Sequence, residues 1–389
     1  MQALALLTGL LSLALALGLL GAATGAFLDP ASTRLAVVGG ALWAPFGPHL
    51  LLAALAALGL AGITRRWGAR RAGALALGLS AGATLCAGYI VARLLWVTVA
   101  AGGSVNLIAA LVPGPMDSPP PDKEETFRTV AGTTLRAAIY VPPESATPAP
   151  VLVYIHGGGF KTGHRTETAA DLRWFADRGW LVVSVDYRLF TPGMPTWDKA
   201  MPDAACGLTW AARNAPRLGG DPARIALSGD SAGGNLAINI GFAAAERLTV
   251  PGCGPVLAPA AIVTQYPAVD PTSIHQRGYP IPGFTPKELI EGYIGGPPDR
   301  HPERIAAIDS RNFLTAKAPP TQVILPLGDS LVVAEGTLEF AEAARAAGVP
   351  LELVRLPFAN HVFNQIGAQT LGNQAGRTIR LRFLDQHLR

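Results

Sequence analysis

Charge is scarce in this chain of 389 residues. Asp, Glu, Lys and Arg together make up 15% of it, against 50% hydrophobic residues, and the mean hydropathy is +0.32. That is more apolar than one soluble catalytic domain should be. Cysteine is scarcer still, with three residues. So few exclude a disulfide-stapled scaffold; a single Cys206 to Cys253 bond in an oxidising compartment stays open, since Cys86 falls in an apolar run. The chain lacks Cys or His at metal-ligand spacing, so no metal and no cofactor are expected. It also lacks a basic stripe interleaved with aromatics, which leaves nucleic acid without support as a partner. The net charge of +4 is accounted for by Arg65, Arg66, Arg70 and Arg71, clustered between two apolar runs.

The shortage of charge is concentrated at one end. No charged residue occurs from Ala3 to Leu28, and about 20 apolar residues suffice to cross a bilayer as a helix. Further apolar runs occupy 42–63 and 72–100, so residues 1–103 read as a transmembrane region of three helices, near 3–28, 42–63 and 72–100. Met1-Gln2-Ala3-Leu4 offers no positive n-region, so the first run is expected to be a retained span rather than a cleaved signal. The four-arginine loop is expected to be cytoplasmic, which puts the remainder of the chain on the extracytoplasmic side. Arg93 interrupts the third run and reads as an interfacial anchor; a fourth span beyond it would reverse the sidedness, but Gly102-Gly103-Ser104 breaks the run.

The chemistry lies in the second part. In Gly229-Asp230-Ser231-Ala232-Gly233, an apolar strand (Ile225-Ala226-Leu227) meets a helix-like run. Such a strand–turn–helix holds a serine hydroxyl above the sheet, with Gly229 and Gly233 present because side chains would collide. The strand Val151 to Ile155 runs straight into His156-Gly157-Gly158-Gly159-Phe160. Bare glycine backbone there, with the N–H of Ala232, can receive the charge of a tetrahedral oxyanion. A serine needs a base, and the base an orienting acid. Asp329 follows the strand-like 322–327 and His361 follows the strand-like 351–356, so Ser231, Asp329 and His361 occur in the order nucleophile, acid, base. Glu335 and Asp309 are outside candidates for the acid. Ser330, in Gly328-Asp329-Ser330-Leu331, is a decoy nucleophile that lacks the strand–turn–helix context.

On these motifs, together with Asp186-Tyr187-Arg188-Leu189, 220–225, 229–237 and 293–296, residues 104–389 resemble an α/β-hydrolase of the hormone-sensitive-lipase-like, fold-3 esterase group. The resemblance implies an α/β fold, with a mostly parallel central sheet covered on both faces and cap elements near 104–125 and 269–318. It also implies oxyanion donors at Gly158 and Gly159, with Gly157 less directly, and a structural role for His156. The segment Phe190 to Pro195 departs from the group's pattern, as does Ser330 in a usual Asp-Pro-Leu. The expected activity is hydrolysis of carboxylic esters, small-molecule or lipid, through an acyl-enzyme, by a protein whose other partner is the membrane lipid bilayer. A peptidase or amidase on the same scaffold, or a non-catalytic binding domain, stays open, as does the oligomeric state.

Overall fold

The computed structural model describes residues 2–143, 147–281 and 283–389. Packing divides the chain into two compact units. One contains residues 1–114 with 326–330 and 356–375, and the other contains the remainder. This division cuts across a linear split at residue 103.

The first unit begins with three long helices, α1 (Gln2–Phe27), α2 (Arg34–Arg66) and α3 (Arg70–Ala100). Among the described residues these three are long and apolar enough to cross a membrane. Their outer faces are leucine-rich, with Leu6, Leu7, Leu10 and Leu85 all more than half exposed. The inner faces use small residues and hydroxyls. A Cβ on Gly39 would lie 2.6 Å from Gly25 backbone, so these two glycines set the close approach of α1 and α2, as small residues do where membrane helices meet. The Ser12 hydroxyl bonds Ala57 O at 2.8 Å and the Ser80 hydroxyl at 3.1 Å.

Helix α2 starts at Arg34 rather than near Leu42. Thr33, in extended backbone, accepts the N–H of Ala36 as an N-cap, and the Gly39-Gly40 pair that dilutes hydropathy there serves packing. Beyond α3 no further helix among the described residues is long and apolar enough to cross a membrane. After α3 the chain forms a 3-10 turn at Ala109–Leu111. The side chain of Asn106 starts it by accepting from the N–H groups of Ile108 and Ala109. Pro113 stops it by forcing Val112 into extended backbone.

The second unit is built on strands β1 (Lys123–Val130), β2 (Thr133–Tyr140), β3 (Ala149–Ile155), β4 (Leu181–Val185) and β5 (Gly220–Asp230). A hairpin of β6 (Thr249–Val250) and β7 (Gly254–Pro255) precedes β8 (Ala261–Gln265), β9 (Thr321–Pro326) and β10 (Leu351–Leu356). The main sheet has the order β1-β2-β4-β3-β5-β8-β9-β10. Strands β1, β2 and β4 pair antiparallel, whereas β4, β3, β5, β8 and β9 run parallel. Alternation along β3 divides the core, with Val151, Val153 and Ile155 facing one cluster and Leu152 and Tyr154 the other.

Helices α5 (Ala200–Asn214) and α6 (Ala232–Ala245) cover the first face through Leu208, Leu236 and Ile240. Helices α4 (Ala169–Ala176) and α11 (Leu371–Leu388) cover the second through Leu172, Phe175, Phe383 and Leu384. The stretch 269–318 holds three short helices, α7 (Pro271–Arg277), α8 (Pro286–Ile294) and α9 (Pro302–Ile308), each opened by a proline whose missing N–H costs nothing at that position. Helix α10 (Ala334–Ala346) follows β9. A disulfide joins Cys206 of α5 to Cys253 in the β6–β7 turn.

Candidate active site

Ser231 stands between the last residue of β5 and the first of α6, with φ 54° and ψ −118°. A non-glycine residue there is strained by about 1–3 kcal/mol. The surroundings hold it in place. The Ser231 N–H donates to Gln265 O, and its carbonyl accepts from the N–H groups of Asn235 and Ala268, each at 3.0 Å. The flanking glycines are sterically required. A Cβ on Gly229 would lie 2.2 Å from Gly233 O, and one on Gly233 would lie 2.1 Å from Ile155 O. Ala232 opens α6, where the first N–H groups have no acceptor within the helix.

The glycine loop lies beside this bend. A Cβ built on Gly157 would come within 3.4 Å of Ser231 Cβ. Gly158 and Gly159 take φ 101° and 61°, and a Cβ on Gly158 would strike Thr162 O at 2.1 Å. His156 braces the loop from below. Its Nδ1–H donates to Gly157 O at 2.9 Å, its ring stacks on Tyr187 at 4.4 Å, and the Tyr187 hydroxyl donates to His156 O at 3.1 Å. Burial pushes His156 down to about 4, against a smaller upward pull from the Gly157 carbonyl, so the ring is neutral at neutral pH. Asp230 is buried under the bend, accepting from Tyr154 Oη and Gln265 Nε2, both at 3.2 Å, with the Arg380 guanidinium 3.7 Å away.

A cavity of about 560 Å³ is lined by Lys161, Thr162, Phe190, Thr191, Gly193 and Gly292, among others. The segment that departs from the family pattern therefore forms part of a cavity wall. Arg188 and Asp203 form a two-pronged ion pair, and Arg165 pairs with Asp186; these hold the chain after β4.

Asp329 and His361 lie in the first unit. Gly328 N donates to Ala359 O at 2.9 Å, which ties the loop after β9 to the loop after β10. His361 Nδ1 lies 2.7 Å from Asp329 Oδ2. The carboxylate is fully buried and the imidazole side chain 8% exposed. With Nδ1–H donated to the carboxylate, the neutral ring carries its lone pair on Nε2. The other candidates are differently engaged. Asp309 is paired with Arg311 at 2.6 Å, Glu335 is exposed on α10, and Ser330 is buried with its hydroxyl bonded to Asn360 Oδ1 at 3.2 Å. Sequence reasoning misses Tyr187 and Asn360. The first sits inside a family motif that gives it no role, and the second adjoins His361 without any pattern to mark it.

A family model described as alpha/beta hydrolase fold matches residues 152–365. The chain belongs to that family. It is 30% identical over 296 residues to the ethyl acetate hydrolase of Pseudomonas putida, covering 72% of this chain and 87% of the relative. It is 30% identical over 231 residues to the esterase LipC of Mycobacterium tuberculosis, covering 57% and 55%. Among solved structures, the apo form of Thermogutta terrifontis esterase 2 aligns with a TM-score of 0.56 at 25% identity, covering 68% of this chain and 94% of that one. The protein is a serine hydrolase of the carboxylic ester hydrolase type.

Proposed function

We propose that this chain is a membrane-anchored serine esterase that cleaves carboxylic esters of small molecules or lipids through an acyl-enzyme. The observation that carries the reading is the strained Ser231 turn set against the glycine loop. His361 takes the proton of Ser231 as Oγ attacks the ester carbonyl, and Asp329 holds the imidazolium that results. The N–H groups of Gly158, Gly159 and Ala232 receive the oxyanion, with Gly157 shaping the loop. The alcohol leaves with the proton returned by His361. Water, deprotonated by the same ring, then releases the acid. Replacing one oxyanion donor costs on the order of 100-fold in comparable hydrolases.

Residues 1–103 are the anchor and 104–389 the catalytic domain, with a cap built from 104–125 and 269–318. The arginines at 65, 66, 70 and 71 favour a cytoplasmic α2–α3 turn and an extracytoplasmic catalytic domain. The Cys206–Cys253 bond supports the same side, since disulfides persist in oxidising compartments. Ser231→Ala is expected to abolish p-nitrophenyl ester turnover and fluorophosphonate labelling. Labelling that persists in this variant, at Ser330 or elsewhere, would overturn the assignment.

A further inference from the structure

The loops that carry Asp329 and His361 are fastened to a membrane helix through one side chain. Asn360 Oδ1 accepts three hydrogen bonds, from Ser330 N at 2.9 Å, Ser330 Oγ at 3.2 Å and His361 N at 2.6 Å. Ser330 and His361 are the immediate neighbour of the acid and the ring-bearing residue itself, so one oxygen sets the spacing of both loops. The opposite end of the amide points elsewhere. Asn360 Nδ2 donates to Val37 O, in the first turn of α2, at 3.2 Å. The orientation of the amide follows from its partners, because three donors face one end and a carbonyl faces the other.

Helix α2 makes its close approach to these loops at Gly40, where a β-branched side chain would crowd them. A Cβ there would lie 3.3 Å from Gly328 O and 3.6 Å from Asn360 Nδ2. On the same loop Phe358, at φ 53°, is held between two other membrane helices. Its ring meets Phe27 of α1 at 5.1 Å and Tyr89 of α3 at 6.1 Å, both edge to face. All three helices therefore bear on the segment that leads into His361.

We propose that Asn360 is a positioning residue through which α2 fixes the register of Asp329 and His361, so that the membrane helices belong to the catalytic apparatus as well as anchoring it. Asn360 acts through Ser330, His361 and α2. The proposal rests on the reading of Asp329 and His361 as acid and base. That reading fails separately, if His361→Ala keeps its turnover.

The test uses the full chain in vesicles or detergent. Asn360→Ala is expected to lower kcat for a p-nitrophenyl ester by about tenfold or more with little change in KM, since misplacement of a catalytic group by an ångström can cost about 100-fold. It should also broaden or move the low-field proton resonance of the Asp329–His361 hydrogen bond. Gly40→Val, inside the membrane helix, should produce the same two changes by displacing α2 from Gly328 and Asn360. The double variant should be little worse than the poorer single one, because both act on one contact. Wild-type kcat and an unmoved resonance in a folded Asn360→Ala protein would overturn the proposal, as would fully additive losses in the double variant. If Asn360→Ala does not fold, Gly40→Val decides: lowered kcat with a moved resonance supports the proposal, and wild-type behaviour overturns it.

Discussion

At the scale of single residues, His156 gives a pH dependence separate from catalysis. Its ordinary value is 6.5 and the folded protein lowers it to about 4. Above the ordinary value the ring is neutral whether folded or unfolded, and it contributes no pH dependence. As the pH falls through 6.5 towards 4, the unfolded chain takes up a proton that the folded chain refuses, so stability declines across that window. The full effect is on the order of 3 kcal/mol. Thermal unfolding between pH 7 and 4.5 should show this decline in the wild type, and a shallower one in His156→Asn. Equal slopes would remove His156 as the cause. The glycine loop and the Ser231 turn are legible in the sequence at this scale because part of their steric demand is local: a Cβ at Gly229 would meet Gly233 and one at Gly158 would meet Thr162, each four residues on. Asn360 is not legible, because its partner Val37 lies 323 residues away and contributes only a backbone carbonyl.

At the scale of elements, the disulfide fastens α5 to the β6–β7 turn across a separation of 47 residues. Closing a loop of that size in the unfolded chain is worth roughly 2–4 kcal/mol. Cys206→Ser or Cys253→Ser should therefore lower the unfolding temperature by several degrees, and reductant should do the same to the wild type but not to the variants. Unchanged melting in all three would show the bond to be energetically idle. Element boundaries are harder to read than element types. The apolar pattern of β5 runs straight into the Ser231 turn, yet hydropathy starts α2 too late. It scores a glycine pair as a weak span, whereas in this helix Gly39 and Gly40 allow two close approaches, to α1 and to the loop after β9. The 3-10 turn at Ala109–Leu111 is confined to a single turn by the Asn106 start and the Pro113 stop.

At the scale of the molecule, the compact unit that contains α1–α3 also contains the loops of Asp329 and His361. Residues 104–389 expressed alone are therefore expected to turn over esters at least about tenfold more slowly than the full chain. Full activity in that fragment would show residues 1–103 to be dispensable for chemistry. Labelling of single cysteines placed at Arg71 and Pro113 with an impermeant reagent should reach the second in intact cells and not the first; the reverse pattern would invert the membrane orientation. The strands and turn motifs of the second unit can be read from the sequence, because they follow one another in order along the chain. The joining of helix to loop cannot, since it depends on atoms brought together only by folding.

The Asn360 amide also bears on inheritance. Many tethers can be exchanged by recombination, because any sufficiently apolar segment delivers its cargo to the same place. Here a transplanted segment would bring its own first turn, with no assurance that a carbonyl stands where Val37 offers one or that a glycine stands where Gly40 makes room. On the function proposed above, such a chimera would reach the correct bilayer with a mis-set acid and base. Descendants of this gene are therefore expected to change the beginning of α2 and the two active-site loops together or not at all.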